Sequence, residues 1–167
     1  MPRHRQQRGF MPGQQPRYRD LVARAWLAHA DRAGISLDAD ALYEGWYRVN
    51  LMECIGVSTT ARANRVEDYD RACLHFAEIA GDDNAIAYFS AAVERRIEYW
   101  ITRRMRDLSL FTGRRVDWAY VRSIYSHMDL PLTLESAPAE LLRKVLQALD
   151  THVRRLRKAR NEASHAA

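Results

Sequence analysis

Residues 83–111, DNAIAYFSAAVERRIEYWITRRMRDLSLF, contain neither glycine nor proline and decide the fold class. Their apolar side chains recur at intervals of three or four residues, the spacing that places them on one face of an α-helix. Acidic residues at the start, Asp82 and Asp83, suit the positive end of a helix dipole. We therefore predict a long helix that ends near Phe111, just before Gly113. Its core face carries Ile86, Val93, Ile97, Trp100 and Leu108.

The segments on either side of this helix predict further helices. Helical spacing of apolar residues extends over about residues 17–33, 39–55, 64–80, 117–128 and 137–160, and no segment alternates with the period of a strand. Glycine or proline separates the segments, at Gly34, Gly56, Gly81 and Pro131. The predicted fold is all-α: a single-domain bundle of about six helices over residues 17–160. We expect residues 1–16 to form a disordered basic arm and residues 161–167 a disordered tail.

The composition favours an acidic partner. The chain has 167 residues and a formal net charge of +5, and its basic residues are nearly all arginine, because lysine occurs only at positions 144 and 158. Guanidinium groups bind phosphates in a bidentate manner, although a GC-rich genome produces the same arginine bias. Cys54 and Cys73 are too few for a disulfide framework. With no secretory signal and no apolar run of about 18 residues, we expect a cytoplasmic protein without a membrane segment.

Two arginine-rich surfaces are candidate nucleic-acid sites. On the long helix, Arg95, Arg96, Arg103 and Arg106 fall opposite the apolar face, with Tyr99 among them. Such a surface binds phosphates while the ring offers a stacking platform. The plainer interpretation is a solvated face with intrahelical ion pairs. Arg104 falls toward the apolar face, so we expect it to be paired with an acid or to extend toward water.

The second surface is the end of the last helix, whose basic residues exceed what favourable interaction with the helix dipole requires. It is the second candidate contact surface for nucleic acid. Its members are Arg154, Arg155, Arg157, Lys158 and Arg160.

Other site classes find little support in the sequence. The segment between the last two helices is too long for the tight turn of a helix-turn-helix motif. Cys73, His75 and Glu78 lie close in sequence but do not share one helix face, so we predict no metal site. His29, His127 and His152 lie on separate predicted helices, and no hydrolase, P-loop or dinucleotide motif is present. We therefore predict no catalytic residues and no cofactor.

Two stretches resemble the GemA regulatory proteins of Mu-like phages. One runs from Leu21 to Gly81 and includes Tyr47–Arg48 and Gly56–Val57–Ser58. The other is the amphipathic segment Leu141–Arg155, LLRKVLQALDTHVRR. Together they cover a little under half of the chain, whereas the long helix has no counterpart in that family. The resemblance implies a small phage or prophage regulator of DNA-associated processes, with no active site to transfer.

These observations support two functional hypotheses, and an enzyme whose site is assembled from residues distant in sequence is a third and less favoured one. The first is a phage-type or prophage-type regulatory protein that binds duplex DNA or a nucleoprotein through its arginine surfaces, mainly at phosphates. The alternative is an adaptor, without catalytic activity, that docks on an acidic host or phage protein. Exposed aromatic residues would anchor that partner, from among Trp46, Tyr47, Tyr99 and Tyr125. A homo-oligomer is compatible with either hypothesis.

Overall fold

The computed structural model describes residues 9–37, 40–64, 68–129 and 132–165. Within them the chain folds into six α-helices, which confirms the predicted all-α class. The helices are α1 (Gln15–Ala33), α2 (Asp40–Ile55), α3 (Asp68–Ala80), α4 (Asp83–Thr112), α5 (Trp118–Ser126) and α6 (Ala139–His165). Short 3₁₀ turns occur at Thr60–Arg62 and Leu134–Ser136. The chain forms two compact units, residues 1–93 and 94–167, and the boundary between them falls inside α4.

In residues 1–93, α1 and α2 both pack against α3. Small side chains, Ala25 on α1 and Ala72 and Ala77 on α3, are completely buried, so the helix backbones can approach closely. Phe76 of α3 is also fully buried and fills the space beside them. The α1–α3 contact therefore forms the centre of this unit's core.

The N-terminal segment contributes to this core. Phe10 is only 6% exposed, and its ring contacts Tyr18 at 5.0 Å and Tyr69 at 5.2 Å between centroids. The backbone N–H of Gly9 donates to the carbonyl of Ala63 at 2.9 Å. Residues 9–16 therefore do not belong to the disordered arm predicted for residues 1–16, because burying an aromatic ring stabilises this attachment. Residues 1–8 lie outside the described part of the chain.

The end of α1 confirms the role expected for Gly34. Its φ of 64° lies in the left-handed region, which costs little for a residue without a Cβ atom. The N–H of Ile35 then donates to Ala30 O at 2.9 Å, and the N–H of Gly34 donates to Asp31 O at 3.3 Å. Carbonyls of the last turn are satisfied in this way, and the chain turns toward α2.

In residues 94–167, the second part of α4, α5 and α6 each bury one apolar face. The buried residues of α4 follow helical spacing at Ile97, Ile101, Met105 and Leu108. The same spacing holds on α6 for Leu142, Val145, Leu149 and Val153, and α5 adds Val121 and Tyr125. The side chain of Asp117 accepts a hydrogen bond from Ala119 N at 2.9 Å and caps α5. This hydrogen bond stabilises the first turn of α5.

The last helix is longer than the sequence indicated. It continues to His165, so residues 161–165 are helical and do not form the disordered tail predicted for residues 161–167. No glycine or proline interrupts the segment after Pro138, and Glu162 lies 3.7 Å from Lys158 one turn earlier. Both features favour continuation of the helix. Residues 166 and 167 lie outside the described part of the chain.

Candidate nucleic-acid interface

The first predicted surface lies on the solvent side of α4. Its buried side chains define one face, and the predicted arginines lie about 120–180° away from it at ~100° per residue. Tyr99 is 58% exposed, and most of the arginines are exposed as well. Arg96 is half-buried and has an interaction of its own. We use the name outer face of α4 for Arg95, Tyr99, Arg103 and Arg106.

Within the described residues, none of the arginines of this outer face lies in ion-pair contact with a carboxylate. Asp107, the acidic residue nearest to Arg106 in sequence, instead lies 3.3 Å from Arg104. The guanidinium carbon of Arg103 lies 5.3 Å from the ring centre of Trp100, which orients that side chain and leaves its charge in place. The guanidinium groups of this face therefore remain available to an external anion.

Arg104 is paired with acids, which is one of the two environments that its position on α4 predicted. Its Nε donates to Asp150 Oδ1 on α6, and Nη1 contacts Asp107. Burial by itself would lower the pKa of Arg104, but the hydrogen bond and charge of Asp150, with that of Asp107, raise it. Arg104 thus joins two helices of the unit and is separate from the outer face.

The second predicted surface is exposed but does not form one face. At ~100° per residue, Arg154 and Lys158 share one side of α6, whereas Arg155 and Arg157 point to different sides. Arg155 lines a hollow beside α5, and the guanidinium carbon of Arg157 lies 6.0 Å from the ring centre of Phe111. Arg160 is exposed near the end of the helix. The structure therefore distributes this group of charges around the helix.

Most of the aromatic anchors predicted for the adaptor hypothesis are not free. Trp46 and Tyr47 are half-buried, because Trp46 packs on Trp26 at 5.3 Å and the Tyr47 hydroxyl accepts a hydrogen bond from Tyr18. Tyr125 is buried at 5% exposure. The expectation of exposed anchors was wrong for these three residues, since packing of neighbouring helices covers them. Only Tyr99 of the predicted set is mainly exposed.

The residues considered for metal or thiol chemistry have structural environments. His75 Nε2 lies 2.8 Å from Asn50 Oδ1, and burial raises the pKa of both Cys54 and Cys73 to about 12. No group of three or more potential metal ligands occurs among the described residues. Within the same ranges, none of the helices is both long enough and apolar enough to cross a membrane.

A cleft lies beside α5 and α6, and no sequence pattern predicted it. We call it the α5–α6 cleft. At its centre the hydroxyl of Tyr120 lies 2.6 Å from His152 Nδ1. The cleft is bordered by four exposed cations, Arg114, Arg115, Lys144 and Arg155. No local pattern joins these positions, because residues 114–120 and 144–155 are brought together only when α5 folds back on α6.

No protein-family model, curated protein or solved structure matches the chain.

Proposed function

We propose that this protein binds duplex DNA, alone or within a nucleoprotein, through the outer face of α4. The observation that supports the proposal is a row of exposed guanidinium groups without acidic partners in the described residues. In keeping with the GemA resemblance, we propose a regulatory role of the phage or prophage type.

The dimensions of the outer face suit a phosphate backbone. From Arg95 to Arg106 the helix rises by about 16 Å, which equals the rise of about five base pairs of duplex DNA. Arginines spaced over that length can contact successive phosphates, and each contact releases condensed counterions. Tyr99, between them, adds a hydroxyl donor for phosphate oxygens.

Phosphate contacts position a protein on DNA but do not read its sequence. Because the cations of the outer face are flexible arginines that contact phosphates, we propose that the protein binds DNA with little sequence preference. Affinity should then fall steeply as salt rises, since counterion release supplies most of the binding free energy. The exposed cations at the end of α6, such as Arg154 and Lys158, would extend the contact.

The test measures the affinity of the full chain for duplex DNA by fluorescence anisotropy over a series of salt concentrations. The test variant replaces Arg95, Arg103 and Arg106 by glutamine. The matched control replaces Arg19, Arg48 and Arg62 by glutamine, which removes the same charge from exposed positions elsewhere. Far-UV circular dichroism checks that both variants keep their helical content.

The test variant should bind duplex DNA about 10-fold or more weakly than the wild-type chain. Its slope of log affinity against log salt should be smaller by about 2–3, because each phosphate contact contributes about 0.9 to that slope. The control should retain most of its affinity. Equal losses in both variants would mean that net charge alone attracts DNA, contrary to the proposal. No binding by the wild-type chain, together with a specific acidic protein that co-purifies and is released by the test variant, would establish the adaptor alternative instead.

A further inference from the structure

The α5–α6 cleft consists of two adjoining hollows that the DNA proposal does not use. One has a volume of about 460 Å³ and contains Arg114 and Arg115. The other has a volume of about 560 Å³ and contains Lys144 and Arg155. Each volume lies in the range of ligand pockets, roughly 300–1,000 Å³. The same central pair of side chains, Tyr120 and His152, lines both hollows, so the hollows adjoin at that pair.

The central pair is the hydrogen-bonded Tyr120 and His152. Burial raises the pKa of Tyr120, so its hydroxyl keeps its proton at neutral pH. When that hydroxyl donates to Nδ1 of His152, the imidazole carries its own hydrogen on Nε2. In that tautomer the Nε2–H is the donor that the pair offers to a ligand. Both side chains line the cleft between its two basic ends.

The charged side chains that line the cleft are all basic. No aspartate or glutamate lines either hollow. The four cations form no ion pair within the described residues, and Asp150 of the same helix is engaged by Arg104. Gln147 adds an amide at one end, whereas the Thr112 hydroxyl at the other end already donates to Leu108 O at 2.8 Å. A site lined by cationic hydrogen-bond donors, with no carboxylate among its lining residues, is typical of phosphate binding.

We propose that the α5–α6 cleft is a binding site for a small oligophosphate, held at one end by Arg114 and Arg115 and at the other by Lys144 and Arg155. The Nε2–H of His152, whose ring is held by Tyr120, donates to the phosphoryl groups between them. A chain of linked phosphoryl groups fits better than a single phosphate, since two separated pairs of cations must be satisfied. This site is independent of the outer face of α4, so either proposal can fail without the other.

The test titrates the full-length protein with inorganic triphosphate in isothermal calorimetry, without magnesium. One variant replaces Arg114 and Arg115 by glutamine, and a second does the same to Lys144 and Arg155. Each pair should weaken binding about 10-fold, as expected for the loss of two charge-assisted hydrogen bonds. The matched control replaces two arginines of the outer face of α4, Arg95 and Arg106, and should change the affinity by less than about twofold. Circular dichroism verifies folding of all variants.

Proton–nitrogen NMR of the His152 ring provides a second measurement. Its signals, assigned with His152→Gln, should move during the triphosphate titration, and Tyr120→Phe should weaken binding about threefold. The proposal is overturned if the α4 control loses as much affinity as the cleft variants, or if His152 stays unperturbed at saturation. The proposal is also overturned if the cleft variants lose as much affinity for duplex DNA as for triphosphate. That result would make the cleft part of the DNA-binding surface.

Discussion

Replacing Asp150 by alanine should weaken the unit formed by residues 94–167, because Asp150 is the α6 partner of a partly buried arginine on α4. The Arg104 side chain is 25% exposed and that of Asp150 is 28% exposed. Exposed ion pairs contribute about 0.2–1 kcal/mol, and removal of one partner from a fully buried pair costs about 3–5 kcal/mol. Asp107 stays 3.3 Å from the guanidinium and retains part of the interaction. We therefore expect Asp150→Ala to cost about 1–2 kcal/mol.

A double-mutant cycle separates the pair from the packing of its side chains. Arg104→Met keeps an aliphatic stem in place, and the cycle with Asp150→Ala should give a coupling of about 1 kcal/mol. Native-state hydrogen exchange of the α6 amides is the appropriate assay, because it reports the opening free energy at α6 itself. Arg95→Met is the control and should change the opening free energy by less than about 0.5 kcal/mol, since Arg95 is exposed. A coupling below about 0.3 kcal/mol would refute the conclusion that this ion pair joins α4 to α6.

Three further predictions concern residues 1–93. Phe10→Ala should lower the free energy of unfolding by about 2–4 kcal/mol in urea denaturation, because a ring with 6% exposure is removed from the core; a change below about 0.5 kcal/mol would show that the segment is not anchored. Burial raises the pKa of Cys54 and Cys73 to about 12. Their thiols should therefore react with iodoacetamide at least ~100-fold more slowly at pH 8 in the folded protein than in the unfolded protein. Similar rates in the two states would contradict this burial. Hydrogen bonds from Ala85 N and Arg24 lower the pKa of Asp82, so its charge stabilises the fold above the ordinary pKa of 3.8, and this contribution is lost as pH falls through the lower folded value. Asp82→Asn should therefore lower the Tm at neutral pH, with a difference from wild type that shrinks in acid; a constant difference from neutral pH to about pH 2 would contradict it.

The helical architecture was readable because its determinants are local. The spacing of Ile97 and Leu108 indicates a helix face wherever the rest of the chain lies, and Gly34 ends a helix by its own backbone preference. The same arithmetic predicted that Arg104 needs a partner, although not that the partner is Asp150. The exposed side of α4 followed from the position of its buried side. Helical periodicity assigns one side of a segment to the core and the other to water.

Other features depended on which segments meet in space. Phe10 lies in a stretch without periodicity, and only contact with Tyr18 and Tyr69 attaches it to the core. Trp46 is covered because α1 lies beside it, which the composition of α2 does not encode. The basic residues at the end of α6 are consecutive in sequence, but consecutive residues on a helix point to different sides.

The all-α class, the approximate positions of the helices and the solvent side of α4 follow from the amino-acid sequence, since each depends on residues within a few turns of one another. The partner of Arg104, the burial of the aromatic residues and the contact of Tyr120 with His152 appear only in the folded chain. Contacts between distant segments are selected by burial and charge pairing over the whole unit, whereas helix periodicity depends on side chains only three or four residues apart.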